Sequence, residues 1–247
     1  MQLIDDGLIL SASDVVSHLA CNHLTTLNLA VARGERLAPI QSDPGVALRA
    51  KLGAEHETRC LAELRQRGLS VHEVSFAASD VEALKSAAEQ TKEAMQQGVD
   101  VVYQATFFDG HWRGHADFLL KNHRPSQLGS WSYDIADAKL AHSLKVSAVL
   151  QMSLYAEHVG CLQGIAPQDL VIFLGNGHTE RYRYADCCAY AKIIRQELLV
   201  AIGRRAPTYP EPVDHCAVCR FKTVCEATWH QDDHLSLVPW MRRAQIQ

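Results

Sequence analysis

Four cysteines near the two ends of the chain constrain its fold more than any other feature. Cys216, Cys219 and Cys225 lie close together late in the sequence, and the one well-placed fourth cysteine is Cys21, almost the whole chain away. Four thiolates suit zinc or an iron–sulfur cluster, and spacing alone does not choose between these metals. A metal centre at these residues would join the two ends of the chain. The alternative is that they are free cysteines in a core, although the segment around them is polar and rich in proline.

The composition is typical of a globular protein that buries a core. Of the 247 residues, 47% are hydrophobic, and the formal net charge of −4 argues against a general polyanion binder. The sequence has no apolar run of about 18 residues, and its first residues lack the basic and hydrophobic regions of a signal peptide. We therefore expect a cytoplasmic protein that spans no membrane. In that reducing compartment, Cys-x-x-Cys is more typical of metal binding or redox chemistry than of a disulfide.

Hydrophobic periodicity and turn residues predict that helices and strands alternate along the chain. A cap-like cluster at 11–14 precedes a short helix that ends at Cys21, and Asp109-Gly110-His111 is a turn between two strands. Further helices are predicted at 24–33, 46–67, 79–97, 143–162 and 185–204, and strands at 69–76, 99–108, 112–120, 131–138, 170–174 and 179–184. This order favours an α/β fold with a mixed central sheet flanked by helices. The other cysteines lie in predicted helices and are expected in the core: Cys60, Cys161, Cys187 and Cys188.

Two acidic residues and a lysine lie on neighbouring predicted strands, in the segments Gly114-His-Ala-Asp117 and Asp137-Ala-Lys139. Because side chains alternate along a strand, Asp137 and Lys139 should point to the same face, with the Ala138 carbonyl close enough to be a further ligand. Carboxylates are hard ligands for Mg²⁺ or Mn²⁺, and an ammonium can orient water or neutralise charge at a phosphate. Taken alone, Asp-x-Lys is a weak signal, and a salt bridge at the end of a strand is the commoner explanation.

Two further motifs occur in order around these residues. His56 and Glu57 follow Gly53 in a predicted helix, and Gln151 and Tyr155 lie four residues apart on one face of another. Together the motifs resemble those of the PD-(D/E)XK nuclease superfamily, and within it the RecB-like exonucleases. The cysteine pattern is similar to that of iron–sulfur-containing RecB-like nucleases, which include the AddB subunit and CRISPR-associated exonucleases. The chain looks most like the bacterial RecB-like nucleases in which such a module is the N-terminal part of a longer protein.

This resemblance implies a restriction-endonuclease-like fold in a single nuclease domain over 1–247. Residues 45–205 would form the nuclease core, 1–44 and 206–234 the cluster-binding appendage, and 235–247 a tail that leads into a further domain. The resemblance also implies a 4Fe–4S cluster, with structural Zn²⁺ as the alternative. Its ligands would be Cys21, Cys216, Cys219 and Cys225.

The resemblance implies a metal site as well. Asp117, Asp137, the Ala138 carbonyl and His56 would hold Mg²⁺ or Mn²⁺, and an imidazole among oxygen ligands would favour Mn²⁺. Lys139 would orient the attacking water and stabilise the transition state.

Gln151 and Tyr155 would then position the DNA strand and Lys139. The expected function is a metal-dependent DNA nuclease, an exonuclease on single strands or duplex ends, in repair or recombination, with a helicase or further nuclease domain as a partner. One alternative is a non-catalytic nucleic-acid-binding module of a larger repair or helicase assembly. Another is an interaction domain that zinc stabilises and in which the nuclease-like motifs occur by chance. The complete set of two acids and a lysine favours the enzyme.

Overall fold

A mixed sheet forms the centre of the molecule in the computed structural model, which describes residues 1–4, 7–40, 44–75, 80–143, 145–204, 206–241 and 243–246. Its strands are β1 (Gln2–Ile4), β2 (Gly7–Ser11), β3 (Val71–Glu73), β4 (Val101–Phe108), β5 (Trp112–Asn122), β6 (Ser132–Lys139), β7 (Asp169–Leu174) and β8 (Thr179–Arg183). They are ordered β1-β2-β5-β6-β7-β8, with β4 on the other edge of β5 and β3 beside β4. Three pairs are parallel, namely β2 with β5, β3 with β4, and β6 with β7. The predicted mixed central sheet is therefore confirmed.

Helices pack on both faces of this sheet. The helices of the described residues are α1 (Ala12–Ala20), α2 (Asn22–Ala32), α3 (Pro44–Gln66), α4 (Val81–Gln97), α5 (Val146–Gln163), α6 (Tyr184–Arg204), α7 (Lys222–Gln231) and α8 (Arg243–Ile246), and not all of them contact the sheet. The smaller core cluster joins Leu61 of α3 to Ala136 of β6, and the larger one joins Met95 of α4 and Ile194 of α6 to Ile135 of β6. Because Ile135 and Ala136 are neighbours on one strand, the two clusters lie on opposite faces. None of the helices in the described part of the chain is long and apolar enough to cross a membrane.

The ends of α4 illustrate how local sequence signals specify this fold. The side chain of Asp80, the N-cap residue, accepts a hydrogen bond from the Ala83 backbone N–H at 2.8 Å. Gly98 ends the helix with a left-handed φ of 70°, and a Cβ at this position would lie 3.0 Å from the Trp131 ring. The predicted end at Gly98 is confirmed, and Ser79, the predicted first residue, lies outside the described residues.

The β4–β5 hairpin also follows from local signals. Asp109 Oδ1 accepts hydrogen bonds from the backbone N–H groups of His111 and Trp112 at 2.9 and 2.6 Å, and Gly110 has a φ of 93°. The carboxylate therefore closes the turn between the two longest predicted strands of the sheet.

Several predictions are corrected by the structure. The strand predicted at 69–76 is limited to Val71–Glu73 among the described residues, and residue 76 lies outside them. The helix predicted at 143–162 begins at Val146, with residue 144 outside the described residues. No prediction covers β1, β2 or α7. The strand β2 is short and pairs with the distant β5, and β1 pairs in turn with β2. Cys161, expected in the core, is exposed on α5.

Candidate active site

The edge of β5 opposite β4 is shared by two strands. β2 pairs with the first two residues of β5, and β6 pairs with its last five. Between these two ladders, Asp117 Oδ2 accepts a hydrogen bond from the Ala138 backbone N–H at 2.8 Å. This contact brings the two acidic motifs together where β6 diverges from β5, and it confirms that Asp117 and Asp137 lie on neighbouring strands.

A kink in β4 and β5 contributes to this geometry. Gln104 has a φ of 55°, which is uncommon for a residue other than glycine, and the β4–β5 register places it opposite Asp117. Val102 and Ala105 face the same large core cluster although they are three positions apart, so the usual alternation is interrupted between them. Asp117 therefore lies at an irregular position in the sheet, where its carboxylate reaches the edge of β6.

Asp137 and Lys139 form an ion pair next to Asp117. The Lys139 Nζ atom lies 2.5 Å from Oδ2 of Asp137, while Asp137 as a residue is only 4% exposed. This oxygen has no partner with hydrogen-bond geometry among the described residues, so the ion pair rests on proximity alone. Burial is the largest single influence on the pKa of Lys139 and lowers it. The Asp137 carboxylate, helped by Asp117 and Tyr155, outweighs burial, so the pKa of Lys139 is raised. The lysine is therefore protonated at neutral pH.

The charged form of the Asp117 carboxylate is energetically unfavourable in the folded protein. Burial and the nearby Asp137 carboxylate raise its pKa well above the ordinary value, and Glu57 acts in the same direction. The Ala138 N–H and the Lys139 ammonium oppose this rise without cancelling it. Two acids that repel each other in a recess with little solvent have the electrostatics of a cation site.

Gln151 and Tyr155 lie on the face of α5 that meets these strands. The Gln151 amide donates a hydrogen bond to the Tyr155 hydroxyl at 2.8 Å. A Cβ on Gly114 would lie 2.7 Å from the Tyr155 ring, so the close packing of this tyrosine on β5 requires glycine there. Burial raises the pKa of Tyr155, and the Asp137 carboxylate adds to this rise. The structure thus brings the predicted Gln-x-x-x-Tyr and Gly-x-x-Asp motifs into contact.

His56 lies on the other face of the sheet, within α3. Its Nε2 donates to the Phe173 carbonyl oxygen at 3.0 Å and lies 3.8 Å from the Cys60 sulfur. Phe173 pairs with Ala138 in the β6–β7 ladder, so the imidazole is next to the metal motif, but its contacts are with β7 and with Cys60 of its own helix.

Glu57 was not predicted as a site residue, yet its carboxylate is close enough to raise the pKa of Asp117. Its Oε1 accepts a hydrogen bond from the side chain of Gln104, the kinked residue opposite Asp117. Burial and a hydrogen bond with Glu57 raise the pKa of the adjacent Tyr103 to about 12. The only sequence signal was its position directly after His56, and which side of α3 faces the acids depends on helix packing.

The acidic residues provide a donor set that fits a hard divalent cation. The carboxylates of Asp117 and Asp137 and the Ala138 carbonyl are oxygen donors of the kind that Mg²⁺ and Mn²⁺ prefer. In their present positions, no three His, Cys, Asp or Glu side chains of the described residues are grouped as a metal site. The geometry therefore brings two acids and a backbone oxygen together, and Glu57 is a further carboxylate that acts on Asp117.

The four cysteines of the first pattern lie in or beside one small apolar cluster that joins segments from the two ends of the chain, but no three of the described thiols are grouped as a metal site. Cys21 ends α1, and Cys225 of α7 packs with Phe221 against Leu24 of α2. Cys216 and Cys219 border the same cluster, and all four are free thiols. Burial raises the pKa of Cys225 to about 11, and the other three cysteines add to the rise. Soft thiol donors that share an apolar setting fit zinc or iron–sulfur chemistry.

Neither a family model nor a curated protein matches this chain. The interpretation of the site therefore rests on its own geometry and chemistry.

Proposed function

We propose that the protein is a metal-dependent nuclease that hydrolyses phosphodiester bonds in DNA. The observation that carries this proposal is the group formed by Asp117, Asp137 and Lys139, which combines two mutually repelling acids with an ammonium held beside one of them. A restriction-endonuclease-like fold of the RecB-like kind would supply the same group on adjacent strands. The site would act on single strands or duplex ends during repair or recombination in the cytoplasm.

The divalent cation held by Asp117, Asp137 and the Ala138 carbonyl would neutralise the phosphate and lower the pKa of water. Lys139 has a raised pKa and keeps its proton, so its role is to donate to the attacking water or a phosphate oxygen rather than to act as a base. Tyr155 is also protonated at neutral pH, and with Gln151 it forms a polar wall beside the lysine. Hydrolysis should leave 5′-phosphate and 3′-hydroxyl ends.

The same proposal assigns a 4Fe–4S cluster to Cys21, Cys216, Cys219 and Cys225, with structural Zn²⁺ as the competing occupant. Its support is the convergence of thiols from α1 and from the segment around α7. The centre would have a structural role, because it lies with the α2–α7 cluster and not among the acids. Metal analysis after anaerobic purification distinguishes the two, since an iron–sulfur protein is brown and contains iron and sulfide.

The decisive experiment is a cleavage assay on end-labelled single-stranded and duplex DNA, with Mg²⁺ and Mn²⁺ compared. Asp137→Ala should abolish cleavage because it removes a metal ligand, while circular dichroism should report a retained fold. Asp186→Ala is a matched control, since this exposed acid pairs with Arg183 on the surface. Full metal-dependent cleavage by Asp137→Ala would refute the assignment. DNA binding without any cleavage by the unmodified protein would favour the non-catalytic module instead.

A further inference from the structure

A cavity of about 420 Å³ opens beside the candidate active site. It lies between α1, the segment after β6 and the first turn of α5, and the Lys139 and Gln151 side chains contribute to its wall. A volume of this size falls in the range of small-ligand pockets. The cavity is therefore continuous with the groups to which we assign the reaction.

The walls of this cavity have the chemistry of an anion site. Lys145 joins Lys139 in the lining, and four hydroxyl groups surround them, while none of the lining residues is acidic. The hydroxyl groups belong to Ser13, Ser17, Ser143 and Ser147. Four other cavities of the described residues each have at least one carboxylate in their walls, from Glu35 and Glu197, Glu63, Asp14, or Glu211.

Two of the polar side chains of the cavity have partners, since Lys139 pairs with Asp137 and Gln151 donates to Tyr155, but the others have none within the described part of the chain. Among the described residues, Lys145 makes no ion pair, and none of the four serine hydroxyls is hydrogen-bonded. Lys145 is also the N-cap of α5, and its side chain makes no capping hydrogen bond, so the first turn of this helix keeps backbone N–H groups available. Val16 and Leu140 supply apolar surface between these donors. Cations, hydroxyls and apolar walls together suit a nucleotide rather than a bare inorganic ion.

We infer that this cavity binds the DNA strand next to the bond that is cleaved, with a neighbouring phosphate on Lys145 and the serine hydroxyls. The inference rests on the proposed function, since it places the strand between the acid pair and α1. It goes beyond that function by assigning strand binding to α1 and the start of α5. A cavity of about 420 Å³ has the size of a small-ligand pocket, which suits a nucleotide of one strand rather than a duplex, so the substrate class is single-stranded DNA or the frayed end of a duplex.

The test measures binding and cleavage separately. Fluorescence anisotropy with a labelled single-stranded thymidine oligonucleotide, in Ca²⁺ to prevent turnover, gives Kd over a range of salt concentrations. Lys145→Ala should weaken binding about five- to tenfold and lower the slope of log K against log salt by about 0.7, the value for one phosphate contact on a single strand. Lys145→Arg should bind nearly as the unmodified protein does. Lys192→Ala is the matched control, because this exposed lysine of α6 is outside the cavity.

A second variant tests whether the DNA strand occupies the cavity, independently of the charge on Lys145. Ser13 is exposed at the cavity wall, so Ser13→Trp should fill part of the cavity with little effect on folding and weaken binding without changing the salt slope. If Lys145→Ala and Lys192→Ala bind alike, or if the unmodified protein does not bind the oligonucleotide, the inference is overturned. Binding that depends on Lys145 in a protein that cleaves no DNA with Mg²⁺ or Mn²⁺ would support the cavity and reject only the nuclease assignment.

Discussion

At the residue scale, the candidate site is defined by electrostatic repulsion between two carboxylates. Asp117 is held by the Ala138 N–H at 2.8 Å, yet the nearby Asp137 and the scarcity of solvent make its charged form unfavourable. Lys139 compensates Asp137 rather than Asp117, since its ammonium lies 2.5 Å from an Asp137 oxygen. The uncompensated charge therefore remains on Asp117, where a cation would have the largest effect.

This repulsion predicts how the free energy of unfolding depends on pH in the absence of divalent metal. The folded state raises the pKa of Asp117 above its unfolded value of 3.8, so the folded state binds the proton more tightly than the unfolded chain. The contribution of protonated Asp117 to the stability of the folded state is complete below pH 3.8. It is lost as the pH rises through the higher pKa that Asp117 has in the folded state. In EDTA at pH 7, Asp117→Asn should therefore raise Tm, by about 2–4 °C if the change is near 1 kcal/mol in a domain of this size.

The measurement is thermal unfolding by circular dichroism between pH 4 and pH 8. The difference between Asp117→Asn and the unmodified protein should shrink toward acidic pH, and added Mn²⁺ should stabilise only the unmodified protein. Asp186→Asn, on the exposed start of α6, should show neither effect. A lower Tm for Asp117→Asn at neutral pH would contradict the proposed repulsion.

At the element scale, the contact between β5 and α5 aligns the site. Gly114 of β5 allows the Tyr155 ring of α5 to pack directly on the strand, and Phe107 of β4 lies 6.3 Å from that ring between centroids. This packing sets the height of α5 above the sheet and hence the position of Gln151. The same helix starts at the proposed strand-binding cavity, so a shift of α5 would affect both places.

Gly114→Ala tests this contact. The new Cβ would lie 2.7 Å from the Tyr155 ring, and overpacking of this kind costs about 1–3 kcal/mol of unfolding free energy. Chemical denaturation measures that loss, and the loss should be smaller when Tyr155→Leu is combined with it, because the smaller side chain makes room. Gly53→Ala is the matched control: no atom lies within 4 Å of its new Cβ, and alanine favours the helix by about 1 kcal/mol. Equal effects of the two alanine substitutions would contradict the packing argument.

At the scale of the whole molecule, the two ends of the chain are joined through a small cluster. α7 meets α2 through a few apolar residues, Leu24, Leu27, Phe221 and Trp229, and the four cysteines lie with them. The large core cluster under the sheet is separate from it. Because few apolar residues pack between α2 and α7, a metal centre at the thiols would add much of the stability of this junction.

Hydrogen–deuterium exchange measures that contribution without any activity assay. Cys225→Ser should increase exchange in α2 and α7, while β4, β5, β6 and β7 stay protected, because only the terminal junction opens. Cys161→Ser, at an exposed position of α5, is the control and should leave exchange unchanged. Unchanged protection of α2 and α7 in Cys225→Ser would show that the thiols hold no structural metal.

Much of the fold could be predicted because its signals are local. Asp80 and Gly98 delimit α4 through their own side chain and backbone, and Asp109 closes the hairpin with its own carboxylate. The pairing of Asp117 with the Asp137 strand followed from the order of strands and the hairpin. The strands β1 and β2 were missed because β2 pairs with β5, about a hundred residues away, and no local pattern reports such a contact.

The sequence by itself determined which side chains could hold a cation or a metal cluster and the order in which helices and strands present them, because ligand type and backbone preference are properties of single residues and short segments. The tertiary structure decided the rest. It placed Glu57 rather than His56 beside Gln104 and the acids, raised the pKa of Asp117, and opened the cavity next to Lys139. Helix rotation, desolvation and the gap between two elements arise only when distant segments pack against each other.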